Sequence, residues 1–180
     1  VPIDSKKNVA SVSAQKLIND LKPSCGFEIE IKKNIIPGSG IGSSGSNAAG
    51  SVYGINKLLG EPLTLKQLIK YAMSGEAASS LTEHPDNVAP ALLGGLVMVK
   101  SIHEENIISL PVPKDLFCFV INPKIEVKTS YSREILPSNV ALSSMTKQVA
   151  NFGTFIHALH TSNYDLIKVS LIDNVIEKHR

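Results

Sequence analysis

The chain has 180 residues, of which 43% are apolar, and its 18 basic and 16 acidic side chains give a net charge of +2. This length can bury the core of one domain, or of one domain and part of a second. The basic residues are scattered and no apolar run reaches the roughly 18 residues of a membrane helix, so we expect neither a nucleic-acid partner nor a membrane span. No signal peptide is visible, and a soluble cytoplasmic protein is the default expectation.

Hydrophobic spacing and turn residues predict five helices and three strands. In chain order these are a helix over 8–21, a half-buried strand over 26–33, helices over 47–59 and 64–78, buried strands over 95–100 and 116–121, and helices over 143–161 and 164–177. Thr64 and Gln67 form a capping-box pattern, and Gly60 stands where a C-cap glycine is expected. Residues 79–90 are polar, with two prolines, and predict a loop. The predicted fold class is α+β.

The chain ends and the cysteines add three expectations. The chain starts at Val1 without Met and ends at Arg180 inside a helical pattern, which predicts a part of a longer protein. A change of composition over 111–114 is the expected domain boundary, with domains over 1–110 and 111–180. Cys25 and Cys118 lack a metal-ligand spacing, so we expect buried free thiols in a reducing compartment.

A glycine- and serine-rich segment over 37–46 lies between the first predicted strand and the second predicted helix. Glycines let several backbone N–H groups converge on an anion, and the helix that follows directs its positive end at the same point. The hydroxyls of Ser43, Ser44 and Ser46 can bind phosphate oxygens or Mg²⁺. The segment therefore predicts a phosphate-binding loop, with a flexible surface linker as the alternative.

Two known loop classes are compared with this segment. A Walker A loop ends in Gly-Lys-Ser/Thr, and no Lys occurs here, which excludes that class. Residues 40–45 match GxGxxG, so a dinucleotide-binding Rossmann domain is a competing interpretation. The acidic residue expected about 20 positions later at a strand end is missing, since Glu61 follows a helix. These observations favour a kinase loop of another kind.

A second polar segment, 83–90, follows a glutamate on the third predicted helix. A kinase needs a carboxylate for the Mg²⁺ that bridges the phosphates, and Glu76 can supply it. The alternative for Glu76 is an exposed helix residue. His84 and Asp86 can equally serve as loop-capping residues, Asp86 through an Asx turn before Asn87. A metal site built on Glu83 and His84 lacks a third ligand at a sensible spacing.

The two segments together resemble a known family. Residues 37–49 are similar to the Pro-x-x-x-Gly-Leu-Gly-Ser-Ser-Ala-Ala motif of the GHMP kinases, which phosphorylate small molecules. Gly75-Glu76 and the run 84–95, His-Pro-Asp-Asn-Val-Ala-Pro-Ala-Leu-Leu-Gly-Gly, resemble the homoserine kinase branch of that family, and the similarity extends through 129–137 to 177–180. The resemblance implies a GHMP kinase fold, with part of the N-terminal ATP-binding domain over 1–110 and the start of a ferredoxin-like C-terminal domain over 111–180.

The same resemblance implies ATP and Mg²⁺ as cofactors and L-homoserine as the small-molecule partner, converted to O-phospho-L-homoserine on the way to threonine. A homodimer is the assembly considered. The implied site residues are listed by role. ATP phosphates: Pro37, Gly38, Ser39, Gly40, Ile41, Gly42, Ser43, Ser44, Gly45, Ser46 and Asn47; metal: Ser44 and Glu76; reacting hydroxyl: Asn87 and Thr129; substrate: His84, and the carboxylate clamps Arg133 and Arg180.

The chain departs from the family pattern at several points. Pro37 falls one place late, Ile41 replaces the usual Leu, and Gly45 replaces the usual Ala. Asn87 stands where other GHMP kinases have a catalytic aspartate, and an amide cannot act as a base, which implies catalysis by alignment and charge stabilisation. The family's N-terminal and C-terminal motifs would lie before Val1 and after Arg180. Two further hypotheses therefore stay open: another GHMP kinase, and a truncated kinase core that binds nucleotide without turnover.

Overall fold

The computed structural model describes residues 2–35, 40–80, 85–101, 106–121 and 135–179. The secondary structure comprises α1 (Val9–Leu21), α2 (Ser43–Leu58), α3 (Leu65–Ser80), α4 (Pro85–Leu93), β1 (Leu96–Val99), β2 (Ile107–Leu110), α5 (Leu142–Thr161), α6 (Tyr164–Ser170) and a 3₁₀ turn (Glu177–His179). The strands β1 and β2 are hydrogen-bonded neighbours. The chain divides into two compact units, residues 1–109 and 110–180, and each is described by itself. The assignment of GHMP domains to 1–110 and 111–180 stays a prediction.

In the first unit, α1 to α4 pack around one apolar core. The buried side chains come from all four helices and from β2, including Leu17, Val52, Leu68, Val88 and Ile107. Local signals start two of these helices, α1 and α3. The Asn8 side chain accepts hydrogen bonds from the N–H groups at the start of α1. Thr64 and Gln67 exchange side-chain to backbone bonds of 2.9 and 3.3 Å, which confirms the predicted capping box.

A glycine brings α1 and α3 into direct backbone contact. A Cβ atom built on Gly75 would clash with the carbonyl oxygen of Val9 and the hydroxyl of Ser13. The Ser13 hydroxyl also donates a hydrogen bond of 3.1 Å to the carbonyl oxygen of Ala72, so the two helices are bonded as well as packed at this point. The next residue on α3, Glu76, is held at a buried position, with 4% of its surface exposed.

The predicted helix boundaries were right at three places and wrong at two. The spans of α1, α3 and α5 agree with the predictions to within two residues, and Gly60 adopts the left-handed φ of +81° beyond the end of α2. The α2 helix begins at Ser43, four residues before the predicted start, because Gly42 provides a left-handed cap. The α6 helix ends at Ser170, not at 177. The carboxylate of Asp173 accepts hydrogen bonds from the backbone of Val175 and Ile176, and such turns compete with helix formation.

Two predicted strands and one predicted loop are wrong. Residues 26–33 and 116–121 form no strand. A pattern of apolar residues within one segment is compatible with a strand, but a strand also needs a neighbouring strand for its hydrogen bonds, and the pattern does not provide one. In the second segment Phe117, Phe119 and Ile121 are exposed. Part of the predicted loop over 79–90 is helical, because Pro85 occupies the first position of α4, where its missing N–H costs no hydrogen bond. The remaining predicted strand, 95–100, is confirmed as β1, but its expected burial is wrong, because all four residues of β1 are half-buried.

The expected burial of the thiols is also wrong, because Cys25 and Cys118 are both free and exposed. Cys25 directly precedes the predicted half-buried strand over 26–33, and Cys118 lies within the predicted buried strand over 116–121; neither segment forms a strand. Within the described ranges, no helix combines the length and apolar character needed to cross a bilayer.

The Gly75 contact predicts a large cost for one added methyl group. Replacing Gly75 with Ala must push α1 and α3 apart, and we expect it to lower the free energy of unfolding by about 2–3 kcal/mol, as overpacked cores do. Gly54→Ala on α2 is the matched control, because no atom lies within 4 Å of its Cβ position. It should stabilise the helix by up to about 1 kcal/mol. Urea unfolding followed by circular dichroism measures the free energy of unfolding of both variants. Equal changes in Gly75→Ala and Gly54→Ala would contradict the contact at Gly75.

The turn at Asp173 predicts a dependence on pH. Backbone N–H groups of Ile176 and Val175 bond to the carboxylate and lower the pKa of Asp173 below its usual value. The stabilisation is therefore complete above the unfolded pKa of about 4 and is lost as pH falls through the lower folded value. We expect Asp173→Asn to be destabilising at pH 7 and to approach the unmodified chain in stability as the pH falls below the lowered pKa of Asp173. A difference that stays constant with pH would contradict this account.

Candidate functional site

The predicted phosphate-binding loop leads directly into the first turn of α2. Gly40 and Gly42 have φ values of +76° and +71°, which side-chain-bearing residues rarely adopt, and Gly42 is the N-cap of the helix. The first intrahelical bond runs over 2.9 Å from the N–H of Ser46 to the carbonyl oxygen of Gly42. The N–H groups of Ser43, Ser44 and Gly45 consequently point out of the helix at its positive end. This arrangement suits an anion.

The three serines of this turn differ in what their hydroxyls do. Ser43 is buried and donates to the carbonyl oxygen of Ile35 over 3.3 Å, which attaches the start of α2 to the preceding segment. Ser46 donates back to the carbonyl oxygen of Gly42 over 3.0 Å. Among the described residues, the Ser44 hydroxyl has no recorded hydrogen-bond partner. Ser44 is therefore the hydroxyl of the three that is available to a ligand.

The buried amide of Asn47 lies one turn further along α2. Its Nδ2 atom is inaccessible to solvent and has no hydrogen-bond acceptor among the described residues. Buried polar groups in proteins are nearly always bonded, so this donor marks a position where a further acceptor is missing from the described part of the chain. The sequence-based site included Asn47 as the last of the residues assigned to the ATP phosphates, without reference to its burial.

Asn87 lies on the first turn of α4, directly against the glycine turn at the start of α2. A Cβ atom at Gly42 would be 3.1 Å from the Asn87 side-chain oxygen, and a Cβ atom at Gly45 would be 3.0 Å from the Asn87 Cβ. The packing of α4 on α2, through buried Val88 and Ala89, holds Asn87 in this position. The structure therefore brings together two segments that are separated by about 40 residues and that were singled out separately in the sequence.

Glu76 lies on α3, which packs against both α2 and α4. Its side chain is buried, so the alternative of an exposed helix residue is wrong. Glu76 is buried because the adjacent Gly75 brings α3 into backbone contact with α1. In the sequence, the only indication of this contact was the dipeptide Gly75-Glu76. Among the described residues, no three His, Cys, Asp or Glu side chains cluster closely enough to form a metal site by themselves.

Several predicted site residues lie outside the described residues, and their positions are not part of the site geometry. They are Pro37, Gly38, Ser39, His84, Thr129, Arg133 and Arg180. The described part of the site consists of the α2 turn, Asn87 and the buried Glu76. Sequence reasoning missed Ser13 and Val9, which position α3, because neither residue belongs to a motif and their role depends on a contact between helices.

The chain is similar to known kinases over its whole length. Residues 8–95 match the family described as GHMP kinases N terminal domain. The homoserine kinase of Chlorobium phaeobacteroides (strain DSM 266) is 38% identical across the entire chain, and that of Methanococcus vannielii is 39% identical over 92% of it. A crystal structure of homoserine kinase from Cytophaga hutchinsonii superimposes with a TM-score of 0.94 at 39% identity and is matched by the entire chain.

The chain is shorter than these relatives. It spans 58% of the Chlorobium relative, 54% of the Methanococcus relative and 57% of the Cytophaga structure. The agreement in fold over all 180 residues confirms the predicted α+β class and the predicted GHMP kinase fold. Residues 8–95 thus match the GHMP kinase N-terminal domain, and the whole chain is similar in sequence and fold to members of the GHMP kinase family.

Proposed function

We propose that the chain is the nucleotide-binding and acceptor-binding part of a homoserine kinase. The reaction transfers the γ-phosphoryl group of ATP to the hydroxyl of L-homoserine and gives O-phospho-L-homoserine and ADP. The observation that carries the proposal is the contact of Asn87 with the glycine turn of α2, because it joins the predicted phosphate-binding element to a segment that resembles homoserine kinases. The names of the relatives support the choice of acceptor.

The turn at the start of α2 would hold the ATP phosphates. Its outward N–H groups and the positive end of a 16-residue helix supply donors and partial positive charge without a lysine. The residues assigned to this task are Pro37, Gly38, Ser39, Gly40, Ile41, Gly42, Ser43, Ser44, Gly45, Ser46 and Asn47. Because Ser43 and Ser46 already donate to carbonyl oxygens, Ser44 is the hydroxyl that we assign to the ligand.

Ser44 and Glu76 are the residues that would hold Mg²⁺. A hydroxyl and a carboxylate are the hard oxygen donors that this ion takes, and Mg²⁺ usually completes its shell with phosphate oxygens and water. When bound, the ion neutralises charge that develops on the transferred phosphoryl group. The burial of Glu76 keeps its carboxylate in a fixed place and limits competition from water.

The acceptor side of the proposal rests on a smaller group of side chains. The Asn87 amide can donate and accept hydrogen bonds but cannot take a proton, so its role is to align the homoserine hydroxyl, together with Thr129. His84 is assigned a substrate contact. Arg133 and Arg180 are assigned to the amino-acid carboxylate, for which the paired donors of a guanidinium are well matched. We further infer a cytoplasmic enzyme, with a homodimer as its assembly.

A first test separates the proposed activities. The natural gene product that contains these residues is assayed for ADP release from ATP and Mg²⁺ with homoserine, with mevalonate and with no acceptor. Release that depends on homoserine supports the proposal, and release that depends on mevalonate contradicts it in favour of another GHMP kinase. ATP binding measured by calorimetry, without release for any acceptor, would instead favour a nucleotide-binding module. Sedimentation equilibrium of the same sample tests the homodimer.

Glu76→Gln tests the metal site. The amide keeps the size of the side chain but removes the charge that attracts Mg²⁺, so we expect turnover to fall about 100-fold and the Mg²⁺ concentration for half-maximal rate to rise. Glu61→Gln is the matched control, because Glu61 is exposed and its salt bridge with Lys57 lies at the surface. Its turnover should remain within twofold. A normal Mg²⁺ response of Glu76→Gln would remove Glu76 from the metal site.

Arg133→Ala tests the carboxylate clamp. Loss of a bidentate contact with the substrate carboxylate should raise the homoserine KM about 10- to 100-fold, with a smaller change in the KM for ATP. Lys147→Ala, which removes one positive charge from the exposed face of α5, controls for the change in net charge. An unchanged homoserine KM in Arg133→Ala would exclude Arg133 from the clamp.

A further inference from the structure

The first turn of α2 has a glycine where the motif that it resembles has alanine. Gly45 is buried and lies at the third position of a 16-residue helix, where alanine would ordinarily stabilise the chain. Two general arguments, helix propensity and the family pattern, therefore favour Gly45→Ala. The contact with Asn87 favours the opposite result.

The space beside Gly45 is filled by Asn87. A Cβ atom at residue 45 would lie 3.0 Å from the Asn87 Cβ, 3.3 Å from its carbonyl carbon and 3.5 Å from its carbonyl oxygen. Carbon atoms in contact are normally separated by about 3.5–4.0 Å, so a methyl group there forces α4 to move by several tenths of an ångström. Two of these three atoms belong to the backbone, and a change of side-chain rotamer at Asn87 cannot relieve the clash.

Asn87 has little freedom to move away, because its neighbours on α4 anchor it. Val88 and Ala89 are fully buried in the core formed with α2 and α3, and Leu92 is buried one turn later. On its other side, the Asn87 side-chain oxygen approaches Gly42, where a Cβ atom would be 3.1 Å away. Asn87 therefore lies over two residues without side chains, and the close approach depends on both of them.

We propose that Gly45 is a positioning residue that sets the distance between Asn87 and the phosphate-binding turn of α2. Its missing side chain lets α4 lie directly on the helix backbone whose N–H groups face the anion, so that the phosphate side and the acceptor side of the site keep a fixed separation. The proposal rests on the proposed function for its effect on turnover, whereas its effect on packing stands on the contact alone.

The experiment compares Gly45→Ala with Gly50→Ala in the natural gene product. Gly50 lies on the same helix, is exposed, and has no atom within 4 Å of its Cβ position. Gly50→Ala should raise Tm by about 2–4 °C, whereas Gly45→Ala should lower it by about 3–6 °C. In homoserine-dependent turnover, Gly45→Ala should lower kcat about tenfold while the KM for ATP stays within threefold, because misalignment affects the transition state more than binding.

A double-mutant cycle assigns the effect to Asn87. Asn87→Gly removes the Cβ atom at 3.0 Å, so the loss of Tm caused by Gly45→Ala should be at least halved in that background. An increase in Tm for Gly45→Ala equal to that of Gly50→Ala, or an equal loss in both backgrounds, would overturn the proposal. A lowered Tm with unchanged kcat would leave only a packing contact and overturn the positioning role. If the unmodified protein shows no homoserine-dependent turnover, the proposed function fails, and the cycle still decides the contact.

Discussion

The first unit depends on pairs of helices that touch where one of them has no side chain. At Gly75 the backbone of α3 meets the carbonyl oxygen of Val9, and at Gly45 the backbone of α2 meets Asn87 on α4. The repulsive energy between two atoms rises steeply as they come closer, so such positions define the separation of two helices more narrowly than flexible side chains do. Glu76 and Asn87, two of the described polar residues assigned to the chemistry, both lie beside or within a contact of this kind.

Much of the local structure follows from short-range signals in the sequence. Asn8 caps α1 with its own side chain, and Thr64 with Gln67 starts α3, because each of these bonds forms between residues no more than three positions apart. The glycine turn before α2 is predictable for the same reason. The backbone geometry that suits an anion there is one that glycines permit locally, without help from the rest of the fold.

The predictions that failed are those that need information from distant residues. Alternating residues over 26–33 and 116–121 describe a strand only if a second strand lies beside them, and no pattern within the segment provides it. Asp173 ended α6 early by bonding to backbone N–H groups ahead of it, which a count of apolar spacings overlooks. The prolines of 85–90 concealed α4, although Val88 and Leu92 have the spacing of a buried helix face.

The site shows the same division between local and distant information. The motif over 37–49 and the run over 84–95 were each recognisable, yet nothing in either segment indicates that Gly45 faces Asn87.

Under the proposed function the contact between Gly45 and Asn87 has a chemical reason. An amide at residue 87 removes no proton from the acceptor, so the rate depends on how well the hydroxyl and the phosphoryl group are aligned. Alignment is lost with displacements of about 1 Å. The glycine backbone that contacts Asn87 has no side chain that could change rotamer, so it holds Asn87 at a fixed distance. A kinase site that lacks a catalytic base therefore depends more on the close packing of Gly42 and Gly45 against Asn87 than a site that has a base.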